Sequence, residues 1–203
     1  MITCYFDISS PWTWLAFRRL QRLAAELDIS VDWKPILVGG VFNAVNPSVY
    51  EFRERGAPAK QAYLRKDLAD WARHEGIRIL FPPTIFPVNS VKVMRACLWL
   101  QSQLSEKLEP FAAAAFEAYW THDQDISSDT VLRDLCEQIG INAAVLLEGI
   151  TEPDIKAQLK ANTDALIARG GFGSPTFFVG DDDMYFGNDR LELVRDAVLA
   201  QRQ

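Results

Sequence analysis

The first forty residues carry a strand, a helix and a second strand, a unit in which the helix supplies the long crossover that a parallel strand pair needs. Ile2, Cys4, Phe6 and Ile8 place apolar side chains at every second position, the period of a strand with a buried face. Ser9-Ser10-Pro11 stops that strand, with serine in the N-cap role and proline in the first helical turn. Leu20, Leu23, Ala24 and Leu27 then recur at helical spacing, which predicts a helix over 11–27. Residues 31–38 are rich in β-branched and aromatic side chains and end at Gly39-Gly40, so they read as the second strand. The right-handed twist of strands makes the crossover right-handed. Gly39-Gly40-Val41-Phe42, between strand and loop, reads as a flap.

The chain then changes character. Ala, Leu, Glu, Arg and Lys dominate, and proline and glycine punctuate helical patterns over 59–74, 90–104, 110–120, 128–138 and 154–168. Val91, Met94 and Leu98 line one face of the second of these, and Leu132, Leu135 and Cys136 one face of the fourth. Trp71, Trp99 and Trp120 are expected in the core. After Gly170-Gly171-Phe172-Gly173, the run Phe177-Phe178-Val179, the acidic turn Asp181 to Asp183 and Met184 to Phe186 predict a hairpin. A closing helix follows, with Leu191, Val194 and Val198 on its apolar face. The order is that of an α/β core carrying a helical insertion: 1–44 and 170–203 form the core and 45–169 the insertion.

Charge and special residues remove several classes of function. Lys and Arg number 21 against 27 Asp and Glu, a formal net charge of -6, which disfavours a general grip on nucleic acid or anionic lipid. No apolar run approaches the roughly 18 to 20 residues of a membrane span, and the N-terminus lacks a secretory pattern, so a cytoplasmic protein is expected. The 3 cysteines, Cys4, Cys97 and Cys136, are dispersed, with no C-x-x-C pair. With them, His74 and His122 form no metal-ligand spacing, so no metal is expected.

Three segments remain where the residue types suit chemistry. Ser10 stands where a strand meets a helix N-terminus, a place that favours an anion. It either caps the helix or donates a hydrogen bond to a ligand's sulfur and lowers that thiol's pKa. Ser174-Pro175 either opens an edge strand or, with a cis bond, turns its backbone outward to pair with a peptide. Asn188-Asp189 either caps the last helix or grips the charged end of a zwitterion.

Phe6-Asp7-Ile8-Ser9-Ser10-Pro11-Trp12-Thr13-Trp14-Leu15, the 171–176 segment and Phe186-Gly187-Asn188-Asp189-Arg190-Leu191 together resemble the 2-hydroxychromene-2-carboxylate isomerases. Those enzymes are relatives of kappa-class glutathione transferases in the DsbA-like thioredoxin superfamily. The resemblance implies a thioredoxin-like fold interrupted by a helical insertion domain, usually a homodimer, with glutathione in the cleft. Ser10 then matches the active-site serine, and Thr13 stands where redox relatives carry a second cysteine. Ser174 and Pro175 match the cis-proline segment beside the cysteinyl part of glutathione. Asn188 and Asp189 match the pair at its γ-glutamyl end, Lys60 the lysine at its glycyl carboxylate, and Asn46 either an asparagine nearby or a turn residue before Pro47. For a small aromatic substrate, Trp12, Phe42 and Phe86 are expected to supply an apolar wall and Asn89 a polar contact or, alternatively, a helix cap. The implied reaction interconverts 2-hydroxychromene-2-carboxylate and trans-o-hydroxybenzylidenepyruvate. The nearest alternative is a kappa-like transferase, while the missing C-x-x-C counts against disulfide exchange.

Overall fold

In the computed structural model, which describes residues 1–202, the N-terminal unit consists of β1 (Ile2–Phe6), α1 (Pro11–Leu27) and β2 (Val31–Pro35). β1 and β2 run parallel, from Ile2 opposite Val31 to Phe6 opposite Pro35. The second strand stops before the expected 38 because its partner β1 ends at Phe6, whose carbonyl accepts the last ladder bond from the Ile36 N–H at 3.0 Å. The chain turns instead into α2 (Val38–Val45), so the glycine pair and Phe42, read above as a flap, lie in a helix. There follow α3 (Ser48–Arg55), α4 (Pro58–His74), α5 (Val91–Gln103), α6 (Leu108–Trp120), α7 (Asp129–Gln138), α8 (Ala143–Gly149) and α9 (Pro153–Ala168). The hairpin is β3 (Thr176–Val179) with β4 (Asp183–Phe186), and a 3-10 turn over Asn188–Arg190 leads into α10 (Leu191–Ala200). Among the described residues no helix is long and apolar enough to cross a membrane.

The sheet order is β2-β1-β3-β4, with β3 antiparallel to both β1 and β4. β1 and β3 are central and therefore buried on both faces, and the strand period sorts their side chains. Cys4, Phe6, Phe177 and Val179 enter one large core with Phe17 and Leu20 of α1 and Val194 and Val198 of α10. Tyr5 and Phe178 point the other way, onto Val41 of α2 and Leu166 of α9, with their rings edge to face at 5.8 Å.

The large core continues without a break into α5 and α6. Trp120 is fully buried, and its indole N–H, which needs a partner when desolvated, donates to the Ile8 carbonyl at 2.8 Å. That bond pins the chain two residues before Ser10. Trp33 donates to Glu109 at 2.8 Å and its carbonyl accepts from Gln101 at 2.9 Å, tying β2 to α6 and α5. At the end of α9, Gly170 takes a left-handed φ of 83°. The Gly171 and Gly170 N–H groups then close back onto the Leu166 and Ile167 carbonyls, a Schellman ending that aims residues 172–175 at the end of β1.

Candidate active site

Ser10 is the N-cap of α1, with extended backbone and its Oγ accepting from the Thr13 N–H at 3.3 Å. The same hydroxyl donates to the Ser174 carbonyl at 3.1 Å. One atom thus caps the helix and reaches the 174–175 segment, and the capping reading of Ser10 is realised. The Ser174 hydroxyl lies 2.8 Å from Thr13 Oγ1 and accepts from the Asp7 N–H at 3.0 Å. The peptide bond between Ser174 and Pro175 is cis. Ser10, Thr13 and Ser174 are all buried, so they form a small polar island at the end of β1.

Asp7 organises this island and is a residue the sequence reading passed over. Its Oδ1 accepts from the Ser9 N–H at 2.9 Å and its Oδ2 from the Val38 N–H at 2.8 Å. One buried carboxylate therefore holds both the serine turn and the first N–H of α2. Burial pushes its pKa up, while the Val38, Ser9 and Ser90 hydrogen bonds oppose that shift. The available signal was a charged residue closing an otherwise apolar strand directly before Ser-Ser-Pro.

The predicted ligand residues divide into those the structure joins and those it leaves apart. Asn46, at the C-terminal end of α2, donates from Nδ2 to the Phe172 carbonyl at 3.1 Å and so links α2 to the 172–175 segment. Asn188 is buried, and its carbonyl accepts from Arg19 at 2.5 Å. Its side-chain Nδ2 is buried without a hydrogen-bond partner among the described residues. Neither Asn188 nor Asp189 caps α10 with its side chain, so the bland reading of that pair is not realised. Asp189 is exposed and paired with Arg190. Lys60 is exposed in the first turn of α4, and no hydrogen bond or ion pair joins it to the other predicted residues.

The aromatic residues expected to wall the substrate lie on several elements. Trp12 is half-buried in the first turn of α1. Phe86 packs edge-on to Phe81 at 5.4 Å and to Trp120 at 6.4 Å, and Phe42 meets Tyr50 at 6.2 Å. Asn89 accepts from the Val91 N–H at 3.1 Å in a local turn, while the N-cap of α5 is Ser90, so the expected capping by Asn89 is not realised. The Tyr119 hydroxyl donates to the Ile85 carbonyl at 2.8 Å. Burial pushes that hydroxyl's pKa up, and the charge of Arg53 works against the shift.

All 3 cysteines are free and buried. Desolvation pushes the Cys4 and Cys97 thiols well up and Cys136 to about 11. None is a ready thiolate at neutral pH. A sulfur acting beside Ser10 would come with a ligand. The helix N-terminus, the Ser10 hydroxyl and the unpartnered Asn188 amide suit one that carries both a thiol and an anionic end.

A family model described as a DSBA-like thioredoxin domain matches residues 1–199. The 2-hydroxychromene-2-carboxylate isomerase of Sphingobium xenophagum is 28% identical over 198 residues, covering 98% of this chain and 97% of its own. Glutathione S-transferase kappa 1 of Homo sapiens is 29% identical over 206 residues, covering 95% of this chain and 88% of its own. A solved 2-hydroxychromene-2-carboxylate isomerase superposes with a TM-score of 0.83 at 26% identity, over 98% of this chain and 95% of that one.

Proposed function

Because the chain belongs to the DSBA-like thioredoxin family and shares its fold, we propose that it is a glutathione-dependent isomerase of a conjugated aromatic acid. The reaction assigned to it interconverts 2-hydroxychromene-2-carboxylate and trans-o-hydroxybenzylidenepyruvate, or a closely related pair. The carrying observation is the bond from Ser10 Oγ to the Ser174 carbonyl at 3.1 Å. It supports this reading because a hydroxyl donor at a helix N-terminus stands against the backbone that precedes the cis proline.

Glutathione, when bound, supplies a thiolate that adds reversibly to a conjugated carbon, letting the neighbouring bond rotate. The protein's part is to hold and to tune. Ser174 offers its carbonyl to a peptide laid along this edge, and Ser10, released from that carbonyl, turns its proton to the sulfur. Thr13 keeps the Ser174 hydroxyl in place, and threonine at this position removes the second thiol that disulfide exchange needs. Asn188 gives its unpartnered amide to the γ-glutamyl end, Asp189 faces the ammonium there, and Lys60 meets the glycyl carboxylate. In this reading 1–44 and 170–203 supply the sulfur end of the site. The helical part, 45–169, supplies Asn46, Lys60, Phe86 and Asn89.

Calorimetric titration with reduced glutathione tests the reading. Wild-type protein is expected to bind it, and Asn188→Ala to bind about tenfold more weakly, the cost of one buried amide contact to a charged group. Absence of binding by the wild type overturns the proposal. One observation favours a second reading, the similarity to the human kappa-class transferase. The two share the cradle and part at the second substrate, because a transferase releases a product that retains glutathione.

A further inference from the structure

Among the described residues, three aromatic rings or ring pairs lie under arginines, and one of those arginines differs from the others. Arg19, 4.8 Å from the Trp71 ring, also pairs with Glu75 and donates to the Asn188 carbonyl. Arg169, 3.5 Å from the Phe178 ring, donates to the Asp181 carbonyl. Both are structural cations whose N–H groups are used. Arg53 lies 5.3 Å from the Phe86 ring and 5.8 Å from the Phe42 ring. Among the described residues its guanidinium forms no salt bridge and donates no hydrogen bond. It also does little for the core, since α3 buries none of its residues.

The two rings come from separate parts of the chain, and each is linked through its own element or packing partner to the end of β1. Phe42 belongs to α2, whose first N–H is held by Asp7. Phe86 packs on Trp120, whose indole is bonded to Ile8. Asp7 and Ile8 lead directly into Ser9-Ser10, so the end of β1 positions the wall that Arg53 spans. A guanidinium stacked on rings keeps its planar fork of N–H groups free at the edge, and that fork matches a carboxylate in two bonds.

We propose that Arg53, held between Phe42 and Phe86, is the specificity-determining residue that reads the carboxylate of the second substrate. The ligand class is a flat aromatic or aryl-conjugated carboxylate, its ring against the two phenylalanines and its anion on the guanidinium. The inference rests on the reading of the Ser10 turn as the reaction centre. It sets an anionic substrate apart from the neutral electrophiles that an unselective transferase accepts.

The test is binding, with cinnamate and its neutral isostere cinnamamide as unreactive probes, titrated into the full chain with and without reduced glutathione. Wild-type protein is expected to prefer cinnamate by about tenfold or more. Arg53→Gln should bring that ratio close to one, and Arg53→Lys should restore part of it. Circular dichroism should be unchanged, because Arg53 is exposed on a helix that buries none of its residues. Equal affinity of wild type for the two probes, no binding of cinnamate, or a preference that survives in Arg53→Gln overturns the assignment. If glutathione binds normally while the preference ignores Arg53, the carboxylate reader alone fails. If the preference follows Arg53 but glutathione does not bind, the cofactor reading fails and the carboxylate site stands.

Discussion

Replacing Ser10 by alanine separates its two roles quantitatively. The hydroxyl accepts from the Thr13 N–H and donates to the Ser174 carbonyl. Loss of an N-cap costs about 1 kcal/mol, small against the roughly 5 to 15 kcal/mol that holds a domain together, so the variant should fold. A hydrogen bond to a charged partner contributes about 1.5 to 3 kcal/mol, and at about 1.36 kcal/mol per unit its loss raises the bound thiol's pKa by about 1 to 2 units. Below both pKa values the thiolate fraction, and kcat/KM with it, should fall about 10- to 100-fold. Ultraviolet titration of the thiolate in the glutathione complex reads the shift directly. Ser10→Gly is the control, because glycine is a tolerated N-cap costing only a few tenths of a kcal/mol. It should show the same titration shift with a smaller loss of stability. A bound thiol that titrates identically in wild type, Ser10→Ala and Ser10→Gly refutes the role given to Ser10.

Asp189→Ala should raise the glutathione Kd about tenfold while leaving kcat and folding stability nearly unchanged, since the exposed pair with Arg190 contributes little; unaltered affinity by calorimetry would leave Asp189 without its proposed role. Burial raises the folded-state pKa of Asp7 above its unfolded value, so the native state holds the extra proton between the two. Urea titrations should therefore show wild type losing stability relative to Asp7→Asn as pH rises through that window, and a gap moving the opposite way would mean the carboxyl is lowered instead. Gly171→Ala would drive a Cβ to 2.1 Å from Leu166 Cδ1 and 3.1 Å from the Leu166 carbonyl. It should cost about 1 to 3 kcal/mol in thermal or urea unfolding, and an unchanged midpoint would show that the α9 ending adjusts freely.

What the sequence made legible follows from where the determinants lie. Helix α1 is found at the expected 11–27 because Ser-Ser-Pro and a strong apolar stripe mark its start and its face in consecutive residues. Helices α2, α3 and α8 escaped prediction: the glycine pair imitates a breaker in the first, and the other two are short with little or no buried face. Ser10, Ser174 and Asn188 were visible because each sits in a local motif. Their relations were not, since Thr13 and Ser174 touch across 161 positions and Asn188 is left unpartnered only by the packing around it. Arg53 gave no signal for the same reason, its two rings being supplied by α2 and by the segment before α5.

In the proposed reaction a thiol brought to Ser10 drives an isomerisation from which it is regenerated. The most direct measurement follows the ultraviolet spectrum of 2-hydroxychromene-2-carboxylate mixed with the purified protein, with and without glutathione. Isomer equilibrium should be approached only with glutathione present, with none of it consumed, and more slowly in Ser10→Ala. A spectrum that stays constant although glutathione binds, or glutathione consumed in step with the substrate, would contradict that reaction.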